Sequence, residues 1–110
     1  MTEPEDDFEP PASMTELVAE AVSTIDDVCR TADGAATILS RGGNSFAAVA
    51  DAIVEVRLDP PVAGAALRTP DVTTSSRGTG WIRFAPSDLD RYAVDRVTAW
   101  LGYAWRHALD

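Results

Sequence analysis

His107 and Cys29 are the only histidine and the only cysteine of this chain, and lysine is absent. A nucleophile needs a neighbouring base or cation to become reactive. Cys29 instead follows Ile25 and Val28 on an apolar helical spacing, which predicts a buried, inert thiol. His107 lies near the C-terminus with Asp110 as the only acid close to it in sequence, a placement that suits a cation at a helix end rather than a catalytic base. A single cysteine excludes an intramolecular disulfide and two-cysteine metal or redox sites. Without lysine there is no Schiff-base chemistry and no P-loop lysine. Asp26 and Asp27 would point about 100° apart on a helix and do not converge, while Asp88 and Asp90 suit the first turn of a helix. No catalytic residue, metal site or cofactor is expected from these groups.

What remains is arginine beside glycine. Arg41-Gly42-Gly43-Asn44 and Arg77-Gly78-Thr79-Gly80 each set a guanidinium fork next to flexible backbone N–H groups. That combination can hold phosphate or carboxylate, although neither segment matches a nucleotide-binding fingerprint. The candidate binding residues are Arg41, Asn44, Arg77, Gly78, Gly80 and Trp81. The polar stretch Ser75-Ser76-Arg77 is the favoured place, being long for so small a domain. Trp81 and Tyr103 are candidates to line a pocket or a dimer seam, whereas Trp100 and Trp105 fall on a helix stripe and read as core.

The elements that must position these groups follow from hydrophobic periodicity. Residues 1–12 combine acids with prolines and a single aromatic, Phe8, and read as a disordered tail, leaving 13–110 as one domain. Ser13 with Glu16 forms a capping-box pattern. The spacing of Met14, Leu17, Val18, Ala21, Val22, Ile25, Val28 and Cys29 predicts one long amphipathic helix, stopped at Asp33-Gly34. Strands are expected over 35–40, 45–50 and 53–58, the first two joined by the glycine turn. In the third, Val54, Val56 and Leu58 alternate with Glu55 and Arg57.

Asp59-Pro60-Pro61 opens a short helix to Arg68, with Val62 and Leu67 inward. Residues 71–80 read as a loop or a loop with an edge strand, and 81–85 as a strand. A last helix, capped by Ser87 with Asp90 three residues on, carries Leu89, Ala93, Val97, Trp100, Leu101, Ala104, Trp105 and Ala108 on one face. The fold expected is α+β: an antiparallel sheet of about four strands covered by N- and C-terminal helices, in the order helix, three strands, short helix, strand, helix.

Length and charge set the outer limits. The 110 residues suffice for one core, burying roughly 65% of the unfolded surface. The formal net charge of −9 is unevenly placed. Residues 1–33 hold ten acids against Arg30, while 34–110 hold eight acids against eight arginines. The body is neutral and the acidity belongs to the N-terminal third, which disfavours nucleic acid and anionic membranes as partners. No apolar run reaches the ~18 residues of a membrane span, and no signal-peptide pattern opens the chain, so a cytoplasmic location is expected. Eighteen alanines with no lysine or glutamine fit a GC-rich coding composition.

Over residues 44–105 the order Phe46 and Val49, Ile53-Val54-Glu55-Val56-Arg57-Leu58, a short helix, Gly80-Trp81-Ile82-Arg83-Phe84 and a helix ending near Tyr103 resembles two groups of small proteins. These are the bacterial YjbR-like (MmcQ/YjbR) group and the "luciferase-domain" family, in both of which a glycine-tryptophan strand enters a final amphipathic helix. The resemblance implies a compact α+β fold and, for the YjbR-like group, a nucleic-acid or regulatory role. It adds Arg57 to the candidate binding residues, at a strand position where that group commonly has lysine. The long acidic first helix is not part of the pattern.

The function expected is a non-enzymatic binding or regulatory module for a small anionic ligand or a protein partner. The alternatives are a nucleic-acid-associated factor with an autoinhibitory acidic tail, and a small cofactor-free enzyme. A homodimer is compatible with all three.

Overall fold

The computed structural model describes residues 8–109. Three helices and six strands follow in the order α1 (Met14–Val22), β1 (Cys29–Asp33), β2 (Ala36–Arg41), β3 (Asn44–Ala50), β4 (Ile53–Arg57), α2 (Pro60–Ala66), β5 (Val72–Thr74), β6 (Trp81–Phe84) and α3 (Arg91–Arg106). The fold is α+β, as the patterning predicts, but the sheet has six strands rather than about four. Their order across the sheet is β1-β2-β3-β4-β6-β5 with every neighbouring pair antiparallel. The chain makes a four-strand meander, crosses over β6 through α2 to lay down β5, and returns as β6.

The largest departure from the sequence reading is at residues 23–33. The helix opened by Ser13, whose hydroxyl accepts from the Glu16 N–H, ends at Val22 instead of running on to a stop at Asp33-Gly34. Ser23 closes it, its N–H and hydroxyl both donating to the Glu20 carbonyl. Asp27 at φ 64° then breaks any helical continuation. Cys29–Asp33 becomes an edge strand, so Cys29 is an exposed thiol and not a buried one. The apolar spacing was real in part, because Ile25 and Val28 do pack against the core, from a linker rather than a helix.

Asp33-Gly34 is not a helix stop but the start of the β1–β2 turn. Two further two-residue turns close β2–β3 at Gly42-Gly43 and β3–β4 at Asp51-Ala52. Gly42 and Gly43 both hold positive φ (59° and 84°), the requirement of a type I′ hairpin.

Alternation assigns the faces. Leu39, Ala47, Val49, Val54, Val56, Ile82, Phe84 and Val72 join the buried side chains of all three helices in one cluster. A β-bulge, where the β2–β3 register slips between Leu39 and Ser40, leaves Phe46 without a partner and puts it beside Ala47 in that core. Phe84 meets Trp100 edge-on at 5.3 Å. The opposite face carries the row Ile38, Ala48, Glu55, Arg83 and Thr73, with Ile53 and Trp81 beside it. No described element covers that face. Of its apolar members, Ile38, Ile53 and Trp81 are half-buried and Ala48 is buried, and all four lie outside the cluster formed with the helices.

Helix ends differ in detail from the expected caps. Asp90, not Ser87, caps α3 by accepting from the Ala93 N–H, so that helix starts at Arg91. Asp59 precedes α2 without capping it. Its carboxylate accepts instead from the Tyr103 hydroxyl at 2.9 Å. Leu67, expected inward, is exposed at the end of α2, while Val62 packs on the core. The tail assigned to residues 1–12 falls outside the described residues over 1–7. Phe8 stands 4.8 Å from the Arg91 guanidinium, and the Ala12 N–H donates to Glu16. No described helix is long and apolar enough to cross a membrane.

Candidate functional site

The seven candidate residues separate into two groups. Arg41, Asn44 and Arg57 converge on the C-terminal end of α3. The last carbonyls of any helix lack intrahelical donors and carry the negative end of its dipole. Here Arg41 Nη1 donates to the Trp105 carbonyl at 2.9 Å, while Asn44 Nδ2 and Arg57 Nη2 donate to the Ala108 carbonyl at 2.8 and 3.2 Å. The Arg41 guanidinium also lies 3.9 Å from the Trp105 ring centroid, a cation–π contact. Arg41 Nε is buried with no hydrogen-bond partner among the described residues. These three side chains tie α3 to the sheet. Their hydrogen-bonding capacity goes largely to the fold, which the arginine-glycine pattern could not reveal.

Arg77, Gly78, Gly80 and Trp81 gather on the uncovered face, in and beside the β5–β6 turn. Ser75 N–H donates to the Trp81 carbonyl and Trp81 N–H to the Gly78 carbonyl. Gly80 (φ 84°) is required there, since a Cβ on it would fall 2.5 Å from the Leu58 carbonyl oxygen. The turn thereby aims Arg77 across the sheet at Glu55 of β4, with Nε to Oε1 at 2.7 Å. The Ser75 hydroxyl donates to Oε2 at 2.7 Å and accepts from the Arg77 N–H at 3.1 Å.

Arg83 sits directly opposite Glu55 in the β4–β6 register, as Arg57 does opposite Trp81. Burial by itself would raise the Glu55 carboxyl. Hydrogen bonds from Arg77 and Ser75, with the charges of Arg77 and Arg83, outweigh it and hold Glu55 below its ordinary 4.5. The Arg77 guanidinium carbon is 5.8 Å from the Trp81 ring centroid. The Arg77 guanidinium commits only Nε, and neither its Nη nitrogens nor the Arg83 side chain makes a hydrogen bond or ion pair among the described residues.

Sequence reasoning missed Glu55 and Arg83, and placed Ser75 in the favoured stretch without foreseeing its bond to Glu55. The signal was present: strict alternation put Glu55 on the same side as Trp81 and Arg83. Which strand lies next to β6 was not legible without the crossover.

His107 is the C-cap of α3, its ring 4.3 Å from that of Tyr103. It borders a small cavity of about 200 Å³ with Arg57, Asp59, Thr79 and Gly80. Cys29 is on the far edge strand, so the two most reactive side chain types do not meet. Among the described residues, no three His, Cys, Asp or Glu side chains are grouped to hold a metal ion. No family model, curated protein or solved structure matches the chain.

Proposed function

We propose that the chain is a non-enzymatic binding module that takes an anionic group, carried by a small ligand or a protein partner, on its uncovered sheet face. The carrying observation is the oriented guanidinium of Arg77: Glu55 fixes it through Nε, Ser75 holds the Arg77 main-chain N–H and the same carboxylate, and the Nη pair is uncommitted among the described residues, next to the Arg83 side chain and the half-buried ring of Trp81. A planar fork of this kind matches carboxylate or phosphate geometry, and pre-orientation lowers the entropy cost of binding.

The test is a thermal-shift panel of phosphate, nucleotides, organic acids and short single-stranded DNA on the full chain and on Arg77→Ala/Arg83→Ala. A ligand at ~100 times its Kd adds about 2.7 kcal/mol, a rise of roughly 10–20 °C at 4–8 °C per kcal/mol. The reading requires that rise in the parent and its loss in the double variant. A rise that survives the double substitution overturns it.

A second reading, a nucleic-acid-associated factor, is favoured by one feature. Arginines beside an aromatic on an open sheet suit a stacked base and its phosphate. It requires that removing residues 1–7, with Glu3, Glu5, Asp6 and Asp7, strengthens single-stranded DNA binding in a salt-dependent manner.

A further inference from the structure

The two edges of the sheet are treated differently. On one side β5 is three residues long and follows Pro70, a short edge that offers little to a neighbouring chain. On the other, β1 is five residues long and exposed at every position. It pairs with β2 without a bulge from Cys29 to Asp33 and contains no proline, its only charges being Arg30 and Asp33. Natural sheets guard a long edge with bulges, prolines or charges, so whether this edge can pair depends on what those two charges face.

Turn geometry decides which backbone groups β1 presents outward. The β1–β2 turn has two residues, Gly34 and Ala35, with only Gly34 at positive φ, as in type II′. Its closing pair, Asp33 and Ala36, is then the hydrogen-bonded kind, and hydrogen-bonded and non-hydrogen-bonded pairs alternate along the ladder. Asp33, Thr31 and Cys29 therefore direct their N–H and C=O groups to β2. Arg30 and Ala32 direct theirs away from it.

We propose that a second copy of the chain occupies this edge, β1 pairing antiparallel with β1 about a two-fold axis at Thr31. In that register Arg30 of each copy faces Ala32 of the other, and two such pairs make four hydrogen bonds. Sliding the copies so that Arg30 faces Arg30 sets like charges directly opposite, which is destabilising. Centring on Ala32 pushes Arg30 against Gly34, inside the turn. The charge pattern and the outward groups thus select the same register. It places Thr31 against Thr31, a favourable cross-strand pair, and Val28 across from a glycine, Gly34. The short side chains of Thr31 and Ala32 allow the usual strand spacing of about 4.8 Å. The result is a twelve-stranded sheet with all helices on one side. Main-chain pairing over five residues is a small interface, so the dimer dissociates on dilution.

Sedimentation velocity on the full chain over a concentration series tests this. The expected result is a reversible shift from the 11.7 kDa monomer to twice that mass. Ala32→Pro removes only an outward N–H, which an edge strand tolerates, and should be monomeric throughout with an unchanged melting temperature. As a second arm, Cys29→Ser/Thr31→Cys should form a disulfide dimer on mild oxidation, because residue 31 meets its own copy in a non-hydrogen-bonded pair about 4.5 Å apart at Cα. The parent thiols at Cys29, about 14 Å apart along the paired strands, should not cross-link. A parent that stays monomeric at every concentration overturns the proposal. So does cross-linking through Cys29 but not through position 31, which would place the contact in another register.

Discussion

Arg41 binds Trp105 twice, stacking its guanidinium 3.9 Å from the ring centroid and donating to the same residue's carbonyl oxygen at 2.9 Å. The indole N–H is occupied as well, donating to the Asp26 carbonyl at 2.8 Å. Trp105 therefore joins the linker after α1, strand β2 and helix α3 at one point. An arginine that reads in sequence as a ligand-binding residue serves the fold as a structural rivet.

Arg41→Ala removes a cation–π contact worth about 0.5–2 kcal/mol and a charged hydrogen bond worth about 1.5–3 kcal/mol. Chemical denaturation should show a loss of about 2–5 kcal/mol. Arg77→Ala on the uncovered face should cost less than about 1 kcal/mol, since its ion pair is partly exposed. Equal losses at the two positions would contradict the division of the arginines into a structural and a binding group.

Glycine substitutions separate backbone strain from collision. Gly43 and Gly80 share φ 84°, but a Cβ at Gly43 meets nothing within 4 Å while one at Gly80 meets the Leu58 carbonyl oxygen at 2.5 Å. Gly43→Ala should cost about 1–2 kcal/mol from the left-handed conformation alone. Gly80→Ala should cost distinctly more, read as a lower melting temperature, because the Leu58 N–H to Gly80 carbonyl bond (2.8 Å) ties the same backbone down.

Glu55 gives a pH signature. Its folded-state pKa is lowered, so the stabilisation it brings is fully present above the unfolded value near 4.5 and is lost as pH falls through the lower folded value. The parent should be more stable than Glu55→Gln at neutral pH, with the gap narrowing below about pH 4.5. A gap that is constant from pH 7 to pH 3 would show that the Glu55–Arg77 pair contributes nothing to stability. Arg83→Ala should leave the gap in place but shrink it, since the Arg83 charge is the weakest of the influences holding the carboxyl down.

Much of the fold was legible because most elements advertise themselves locally. The alternation in Ile53–Leu58, the Pro-Pro start of α2 and the stripe of α3 each use one period over their whole length. The 23–33 segment failed because its apolar residues at 25 and 28 continue the helical spacing of α1 while belonging to a linker. The better signals were Ser23-Thr24, poor helix formers that bond back to the preceding turn, and Asp33-Gly34, which begins hairpins as readily as it ends helices. Without β1, the sheet loses the very edge on which self-association is proposed.

The candidate site was legible by half. Arg77, Gly78, Gly80 and Trp81 are neighbours in sequence and stay neighbours in space. Arg41, Asn44 and Arg57 looked equivalent by composition, yet their partners are carbonyls 51 to 64 residues away. A main-chain carbonyl has no signature in the residue alphabet, so no reading of side chain types could find it.

That sequence separation has a kinetic consequence. The hairpins of β1 to β4 are closed by two-residue turns and each can form within microseconds. Their open ends, however, are completed by a helix whose final turn must be brought back across half the chain, and loop closure of that length is entropically slow. Trp105 reports on this step directly, its ring being covered by Arg41 only when the helix has docked. Stopped-flow refolding of Trp81→Phe/Trp100→Phe, followed by the fluorescence of the remaining Trp105, should therefore lag behind strand formation followed by far-ultraviolet circular dichroism, with Arg41→Ala in that background altering the former far more than the latter.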